Sequence, residues 1–237
     1  MNQLLLKDPP PDGELFEVTG PRAEHIRTVL RSKPGDTLKT GLLNGKTGRG
    51  IIRSVEKNSV TLDSFVFDTE PAPPLPITLA VALPRPQSLK KVLHFAASSG
   101  IPELILFQSA RVEKSYWNST VLLPDSLESE LTEGLEQGCG TQLPRLTFYR
   151  SFREFLAAMN ERADEFHRIV AHPVPEEPFS RKPAAEKILL TIGPEGGFLR
   201  TEVEAFETNG FQKFSCGRHI LRVEFACAFL AGMLISG

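Results

Sequence analysis

Residues 193–198 read Gly-Pro-Glu-Gly-Gly-Phe and follow directly on a run of apolar residues. Glycine accepts positive φ angles and lets a ligand approach the backbone closely, so three glycines in five residues suit a binding loop. The segment has neither the Gly-Lys-Ser/Thr of a P-loop nor the G-x-G-x-x-G of a dinucleotide site. Glu195 would repel a phosphate and would suit a ligand with hydroxyl, amino or cationic groups. We predict a ligand-binding loop here; the alternative is a tight turn with Glu195 exposed.

A second segment, residues 216–224, combines a glycine with several charged side chains. Gly217 permits a sharp turn. Arg222 and Glu224 flank the start of an apolar stretch of helical length, so we expect both of them to face the loop. The alternative is a surface turn with an ion pair at the start of a helix. The further basic residues of this segment are Arg218 and His219.

The histidines and cysteines favour neither a hydrolase nor a metal site. His172 follows a short apolar segment and is the best placed of the five histidines, but the sequence holds no evident Ser-His-Asp set. The cysteines are odd in number and include no C-x-x-C pair, so we predict reduced thiols and no metal. They are Cys139, Cys216 and Cys227.

From residue 77 onwards, short apolar segments alternate with helical patterns. The predicted strands are 77–83, 103–107, 168–171, 188–192 and 211–215, and the main predicted helices are 88–99, 125–137 and 223–235. Two more helices are predicted from capping pairs, Ser151 with Glu154 and Thr201 with Glu204. This order predicts an α/β fold with a mostly parallel sheet covered on both faces. Ligands of such sheets bind beyond the carboxyl ends of the strands, where residues 193–197 and 216–222 would lie.

The N-terminal part of the chain reads mainly as short strands with one helix. Strand patterns occur at 14–18, 36–43, 48–55 and 59–67, and a helical pattern occurs at 21–31. Several short strands within seventy residues predict a small barrel or half-barrel. Four prolines within residues 71–76 then interrupt regular structure. We therefore predict three parts, a β domain at 1–70, a proline-rich linker at 71–76 and an α/β domain at 77–237.

The distribution of charge favours a nucleic-acid partner more than the total does. The net charge is −2, but residues 22–57 contain nine basic residues and three acidic ones. Such an excess can attract phosphates, and the alternative is a solvated basic face. No signal peptide is evident, and the most apolar stretch, 225–235, is too short to span a bilayer. We therefore expect a cytoplasmic protein without a membrane partner.

Taken together, the two loop segments resemble the signature of a known family. Gly193-Pro194-Glu195-Gly196-Gly197-Phe198 and Gly217-x-x-Ile220-Leu221-Arg222-x-Glu224 are similar to motifs of the RsmE family, the 16S rRNA (uracil-N3)-methyltransferases of the SPOUT superfamily. The N-terminal pattern His25-Ile26, Val29-Leu30-Arg31 and Gly35-Asp36 resembles that family's PUA-like RNA-binding domain. Glu136-Gln137 sits where the family has its own Glu-Gln pair. The resemblance covers nearly the whole chain.

The resemblance implies a C-terminal SPOUT domain with a trefoil knot, preceded by a PUA-like β-barrel. It implies S-adenosylmethionine as cofactor, a homodimer, and N3-methyluridine in 16S rRNA of the small ribosomal subunit as product. The cofactor would lie against three loops that follow strands. Their residues are Ala171, His172 and Pro173, then Ile192, Gly193, Glu195, Gly196 and Gly197, and finally Cys216, Gly217, Ile220, Leu221 and Arg222.

The chain departs from the family pattern at several polar positions. Family members usually have a Lys and a Glu-Leu-Gly in the first helix of the domain, where this chain has Phe95 and Ser98-Ser99-Gly100. An Arg commonly follows the Glu-Gln pair, and Gly140 takes its place here. Further differences in the last loop are His219, Val223 and Phe225. Because the missing polar groups are expected on the RNA side of the site, these departures bear on which base is methylated more than on which cofactor is bound.

Arg222 is the candidate catalytic group, because a guanidinium beside the uracil carbonyls would stabilise the developing anion. Glu224 is expected to orient it. Candidates for contacts with RNA phosphates are Arg31, Arg49 and Arg85. Two alternatives stay open, a methyltransferase of this fold that acts on another RNA base, and an RNA-binding module without catalysis.

Overall fold

The computed structural model describes residues 1–11, 13–173, 186–215 and 217–235, and the chain divides into two compact units. The first unit comprises Met1–Pro73, Ala97–Gly100 and Leu131–Leu143. The second comprises Pro74–Ala96, Ile101–Glu130 and Pro144–Gly237. The main division thus falls between two prolines of the predicted linker. The assignment of 1–70 and 77–237 as functional domains stays a prediction.

The first unit contains a curled five-stranded sheet and one helix. The strand order is β1-β3-β4-β5-β2, in which β1 pairs with β3 in parallel and the other pairs are antiparallel. The elements are β1 (Leu4–Leu6), β2 (Phe16–Thr19), α1 (Gly20–Thr28), β3 (Thr37–Leu42), β4 (Thr47–Val55) and β5 (Ser59–Thr69).

The core of the first unit forms where the strands turn alternate side chains inward. Ile52, Val60 and Leu62 are fully buried and pack with Ile26 of α1. Pro21 lies in the first turn of α1, as predicted, because its missing N–H has no partner there in any helix. The strand β1 was not predicted, since three leucines carry no alternation.

The second unit contains a six-stranded sheet in which every pair is parallel. The strand order is β11-β9-β10-β6-β7-β8. The strands are β6 (Ile77–Ala82), β7 (Glu103–Phe107), β8 (Arg145–Tyr149), β9 (His167–Ala171), β10 (Ile188–Ile192) and β11 (Gln212–Phe214). The helices that follow β6 in the chain are α2 (Pro86–Ser98), α3 (Pro124–Gly138), α4 (Phe152–Glu161), α5 (Arg200–Thr208) and α6 (Val223–Ile235). The last residues of α2 and the second half of α3 belong to the first unit.

The parallel sheet confirms the predicted α/β fold class. The strands β6, β7 and β10 are buried at every residue, as expected for strands covered by helices on both faces. Ser151 caps α4 as predicted, because its side chain accepts a hydrogen bond from the amide of Glu154. The trefoil knot that the resemblance implies stays a prediction.

Two features of the second unit differ from the sequence-based expectation. The edge strand β8 was missed; it is only five residues long and all of its side chains are exposed or half-exposed. The cap predicted at Thr201 is wrong, because α5 already begins at Arg200. The Glu202 carboxylate instead accepts a hydrogen bond from the Leu199 amide at 2.8 Å. Among the described residues, no helix has the length and apolar character needed to cross a membrane.

Candidate active site

A cavity of about 320 Å³ opens at the carboxyl ends of the parallel strands in the second unit. Three chain segments form most of its wall, and each follows a strand, β9, β10 or β11. Arg85 and Ser88, which follow β6, and Val223, Glu224, Ala226 and Leu230 of α6 complete it. The predicted cofactor residues that line the cavity are Ala171, His172, Pro173, Ile192, Gly193, Glu195, Gly197, Gly217, Ile220, Leu221 and Arg222.

The loop after β10 owes its shape to two glycines and a buried ring. Gly197 has a φ of +68°, in the left-handed region that glycine adopts readily, and its amide donates to the Pro194 carbonyl at 2.8 Å. A Cβ added at Gly193 would lie 3.2 Å from the Phe198 ring. Phe198 is buried against Phe206, with ring centroids 5.0 Å apart, so the ring has little room to move.

Glu195 and Gly196 face different neighbours within this loop. One carboxylate oxygen of Glu195 accepts a hydrogen bond from the Arg85 amide at 3.1 Å and lies 3.7 Å from the Arg85 Nε. Gly196, which was predicted to bind the cofactor, is not among the described residues that line the cavity. Its carbonyl accepts a hydrogen bond from the Arg111 guanidinium. Cofactor binding by Gly196 stays a prediction.

The segment after β9 places a neutral imidazole at the cavity. The His172 amide donates to the Phe214 carbonyl at 3.1 Å, which ties this segment to the end of β11. Burial lowers the pKa of His172, and the positive charge of Lys213 lowers it further. His172 is therefore uncharged at pH 7 and offers one donor and one acceptor nitrogen.

The segment after β11 leads from the cavity into α6. Arg222 is exposed at the cavity wall, and its carbonyl accepts a hydrogen bond from the Ala226 amide at 2.8 Å in the first turn of the helix. Ile220 lines the cavity although its side chain is almost fully exposed. Cys216, the remaining predicted cofactor residue, lies outside the described residues.

Glu224 is buried at the cavity wall and has a partner that the sequence did not predict. Its Oε1 lies 3.1 Å from the Lys91 Nζ of α2. Burial alone would raise the pKa of Glu224, but the helix backbone, Lys91 and Ser88 together lower it below its ordinary value. The described residues include no hydrogen bond between Glu224 and Arg222. The predicted orientation of Arg222 by Glu224 therefore stays a prediction.

The predicted RNA-binding arginines are divided between the two units. Arg31 and Arg49 lie in the first unit and are exposed, and Arg85 lines the cavity of the second. The Arg49 guanidinium lies 3.3 Å from the Asp68 carboxylate, an exposed pair that leaves the arginine accessible. Phosphate binding by these residues stays a prediction.

Glu136, from the Glu-Gln pair that resembles the family's, contacts other residues of the first unit. It is buried, accepts a hydrogen bond from the Leu5 amide at 3.1 Å, and lies 3.2 Å from the Arg22 guanidinium. Burial raises the pKa of Glu136 despite these two partners. Glu136 therefore anchors the strand β1, an interaction between distant parts of the sequence that no local pattern indicates.

Comparison with known proteins agrees with this architecture. A family model described as an RNA methyltransferase domain matches residues 71–235. The ribosomal RNA small subunit methyltransferase E of Treponema pallidum is 29% identical over 215 residues, which cover 89% of this chain and 81% of that protein. The Bacillus subtilis protein of the same name is 25% identical, with 94% and 90% covered.

Solved structures share the fold over almost the full length. A Legionella pneumophila protein solved in complex with SAM superposes with a TM-score of 0.71 at 23% identity, covering 98% of this chain and 96% of that chain. The ribosomal RNA small subunit methyltransferase E of Neisseria gonorrhoeae, solved with S-adenosyl methionine, gives 0.70 at 20% identity, with the same coverage. Because the family model matches most of the chain, the chain belongs to the RNA methyltransferase domain family, and its relatives support the RsmE group within that family.

Proposed function

We propose that this chain methylates the N3 position of a uridine in 16S ribosomal RNA, with S-adenosylmethionine as methyl donor. The observation that carries the proposal is the cavity at the carboxyl edge of the parallel sheet, whose walls are the three segments predicted to hold the cofactor. The relatives are named as small-subunit rRNA methyltransferases. Such a substrate implies action in the cytoplasm.

The residues of the cavity fit the chemistry of this cofactor. Its volume of about 320 Å³ lies within the roughly 300–1,000 Å³ typical of small-molecule sites. Ile192, Phe214 and Leu230 offer apolar surface for a purine ring. The backbone of the glycine-rich loop offers hydrogen-bonding groups to hydroxyl and amino substituents. The carboxylates of Glu195 and Glu224 at the cavity wall offer negative charge to a sulfonium cation.

The bound cofactor supplies a methyl group that is already electrophilic, so the chain needs no nucleophile of its own. The protein must orient the base and favour loss of its imide proton. Holding the two reactants together lowers the barrier by several kcal/mol, within the roughly 7–11 kcal/mol range known for intramolecular reactions. The Arg222 guanidinium, exposed at the cavity wall, would stabilise negative charge on the uracil carbonyls. Glu224 is held ionised nearby and would orient Arg222.

Binding of RNA would be shared between the two units. Arg31 and Arg49 on the curled sheet unit and Arg85 at the cavity are cationic and accessible, as contacts with phosphates require. The excess of basic residues in 22–57 would add attraction for RNA without sequence specificity. The assembled small subunit and free 16S rRNA are the candidate substrates.

We also propose that the protein is a homodimer that pairs through α6. Phe225 and Phe229 lie one helical turn apart and are 56% and 50% exposed, and Ile235 near the end of the same helix is 41% exposed. Large apolar side chains exposed along one helix indicate a protein partner. A second copy of the chain would bury them next to the cavity that α6 helps to line.

The first experiment is a calorimetric titration with S-adenosylmethionine, with Gly193→Asp as the site variant. Micromolar binding that is lost in a folded Gly193→Asp protein would support the cofactor site. Transfer of a labelled methyl group to small subunits, followed by mass spectrometry of the nucleosides, then tests the product. We expect N3-methyluridine. Another methylated nucleoside would contradict the uridine assignment, and binding without transfer would favour the non-catalytic RNA-binding module.

A further inference from the structure

The glycine-rich loop after β10 is fastened to the segment that follows β7, to which no role has been assigned so far. The Arg111 guanidinium donates a hydrogen bond to the Gly196 carbonyl. The stem of the same side chain lies against Gly196, because a Cβ added there would be 3.1 Å from the Arg111 Cδ. The absence of a side chain at residue 196 thus leaves room for Arg111.

A buried carboxylate fastens the exit of the loop to the same segment. Glu202 of α5 is buried, and its Oε1 accepts a hydrogen bond from the Ala110 amide at 2.8 Å. Its Oε2 accepts a hydrogen bond from the Leu199 amide, also at 2.8 Å. Ala110 is the residue before Arg111, so both contacts act on one short segment. Charged groups give hydrogen bonds that are stronger than neutral pairs.

These contacts oppose the conformational freedom of the loop itself. Three of its five residues are glycines, which lose more entropy on ordering than any other residue type. A loop that is already ordered does not have to be ordered by the ligand, so ligand binding becomes stronger. Arg111 is not among the described residues that line the cavity, and any effect on the ligand would therefore act through the loop.

We propose that Arg111 is a positioning residue that, together with Glu202, holds residues 193–197 in the conformation that binds the ligand of the cavity. The identity of that ligand as S-adenosylmethionine rests on the proposed function, whereas the ordering of the loop does not. Two kinds of measurement therefore separate the two proposals, ligand affinity and hydrogen exchange of the ligand-free protein.

Arg111→Ala and Arg111→Lys are compared with wild type by calorimetry with S-adenosylmethionine. Losing a hydrogen bond from a charged donor should weaken cofactor binding about tenfold in Arg111→Ala. Lysine keeps the charge and one donor and should restore part of the affinity. Arg200→Ala is the matched control, because Arg200 is an exposed arginine near the loop whose partner is Glu204 rather than a loop residue. Its cofactor affinity should equal that of wild type.

Hydrogen exchange of the ligand-free variants gives a readout that does not depend on the cofactor. The Gly197 amide, bonded to the Pro194 carbonyl, should exchange faster in Arg111→Ala and in Glu202→Gln, and at the wild-type rate in Arg200→Ala. Because Arg111 is exposed, thermal unfolding of Arg111→Ala should stay close to wild type. Unchanged exchange and unchanged affinity would overturn the proposal and leave the proposed function standing.

Steady-state kinetics distinguish a positioning role from direct contact with RNA. A rise in the KM for RNA, with cofactor affinity and exchange unchanged, would make Arg111 an RNA contact and overturn the proposal. Faster exchange in a protein whose wild type does not bind S-adenosylmethionine would support the ordering of the loop. That result would count against the proposed cofactor instead.

Discussion

The Lys91 Nζ lies 3.1 Å from the Glu224 Oε1, and this ion pair joins α2 to the first turn of α6 at the wall of the cavity. The carboxylate is buried, whereas more than half of the lysine side chain is exposed. A buried carboxylate requires such a partner, because an unpaired buried charge is costly. Lys91 therefore helps the helix backbone and Ser88 to keep Glu224 ionised inside the candidate site.

Removal of the lysine should destabilise the protein in a way that depends on pH. The pKa of Glu224 is lowered in the folded state, so the stabilisation from its ionised form is present above the ordinary carboxyl pKa. That stabilisation is lost as the pH falls through the folded pKa. Lys91→Met should cost about 1–3 kcal/mol at neutral pH and less below about pH 4. Urea unfolding of variant and wild type at a series of pH values measures the difference.

The control for this experiment is Lys90→Met, because Lys90 pairs with Glu130 rather than with Glu224. A difference of constant size at all pH values in Lys91→Met would show that the lysine contributes packing rather than charge. A loss of cofactor affinity in Lys91→Met but not in Lys90→Met would show that the ion pair between Lys91 and Glu224 contributes to cofactor binding.

Two glycines of the loop after β10 should respond unequally to alanine. At Gly193 a Cβ would press on the buried Phe198 ring at 3.2 Å, so Gly193→Ala should displace the loop and weaken cofactor binding at least tenfold. At Gly197 a Cβ meets nothing within 4 Å, and the cost is the backbone strain of a φ of +68°, about 1–2 kcal/mol. That cost should appear mainly in unfolding experiments. Equal losses of affinity in the two variants would contradict the inference that a Cβ at Gly193 displaces the loop by pressing on the Phe198 ring.

Some parts of this architecture follow from local sequence, and others do not. The helix α6 has the predicted bounds, because a continuous apolar run after a glycine-containing turn is a local signal. The loop at 193–197 was singled out from its glycines and its position after a strand, whereas the three cofactor segments came from the family resemblance and stay a prediction. The contacts made by Lys91, Arg111 and Glu202 were missed, because each of them joins two parts of the chain that are far apart in sequence. The sequence contains no pattern that reports which of many charged side chains will meet after folding.

Glu103 should matter for stability but not for catalysis. It is buried in β7 at the amino edge of the sheet, 2.8 Å from the Arg145 guanidinium and 3.0 Å from that of Arg162. Burial raises the pKa of Glu103, but the two arginines outweigh this effect and the net pKa is lowered. Glu103→Ala should therefore cost about 2–3 kcal/mol at neutral pH, because it leaves Arg162 half-buried without this partner. The wild-type advantage should shrink as the pH falls through the folded pKa.

Denaturant unfolding between neutral and acidic pH measures this loss, with Glu103→Gln as the variant that keeps the shape of the side chain. Cofactor affinity at low temperature, where the variant stays folded, should match wild type. A specific loss of cofactor binding by folded Glu103→Ala would contradict the expectation that the amino edge of the sheet contributes to stability and only the carboxyl edge to cofactor binding.

Arg31 and Arg49 should contribute to RNA affinity through charge alone. Replacement of either residue by alanine removes one phosphate contact, so the slope of log affinity against log salt should become shallower by about one unit or slightly less. The loss should be similar for unrelated RNA sequences. Filter binding over a range of salt concentrations measures the slope, and Arg153→Ala, an exposed arginine of α4, is the control. A change in sequence preference instead of slope would indicate contact with bases.

The exposed phenylalanines of α6 should determine the oligomeric state. Phe229→Glu places a charge in the middle of the proposed dimer contact and removes apolar burial of about 1.5–3 kcal/mol per subunit. Sedimentation velocity should then show dissociation at concentrations where wild type is a dimer. Phe148→Glu is the matched control, because Phe148 is a phenylalanine of comparable exposure, 41%, on the edge strand β8. If Phe148→Glu dissociates the dimer and Phe229→Glu does not, the contact lies at the sheet edge and not on α6. If wild type is itself a monomer at all concentrations, the exposed face of α6 must meet another partner.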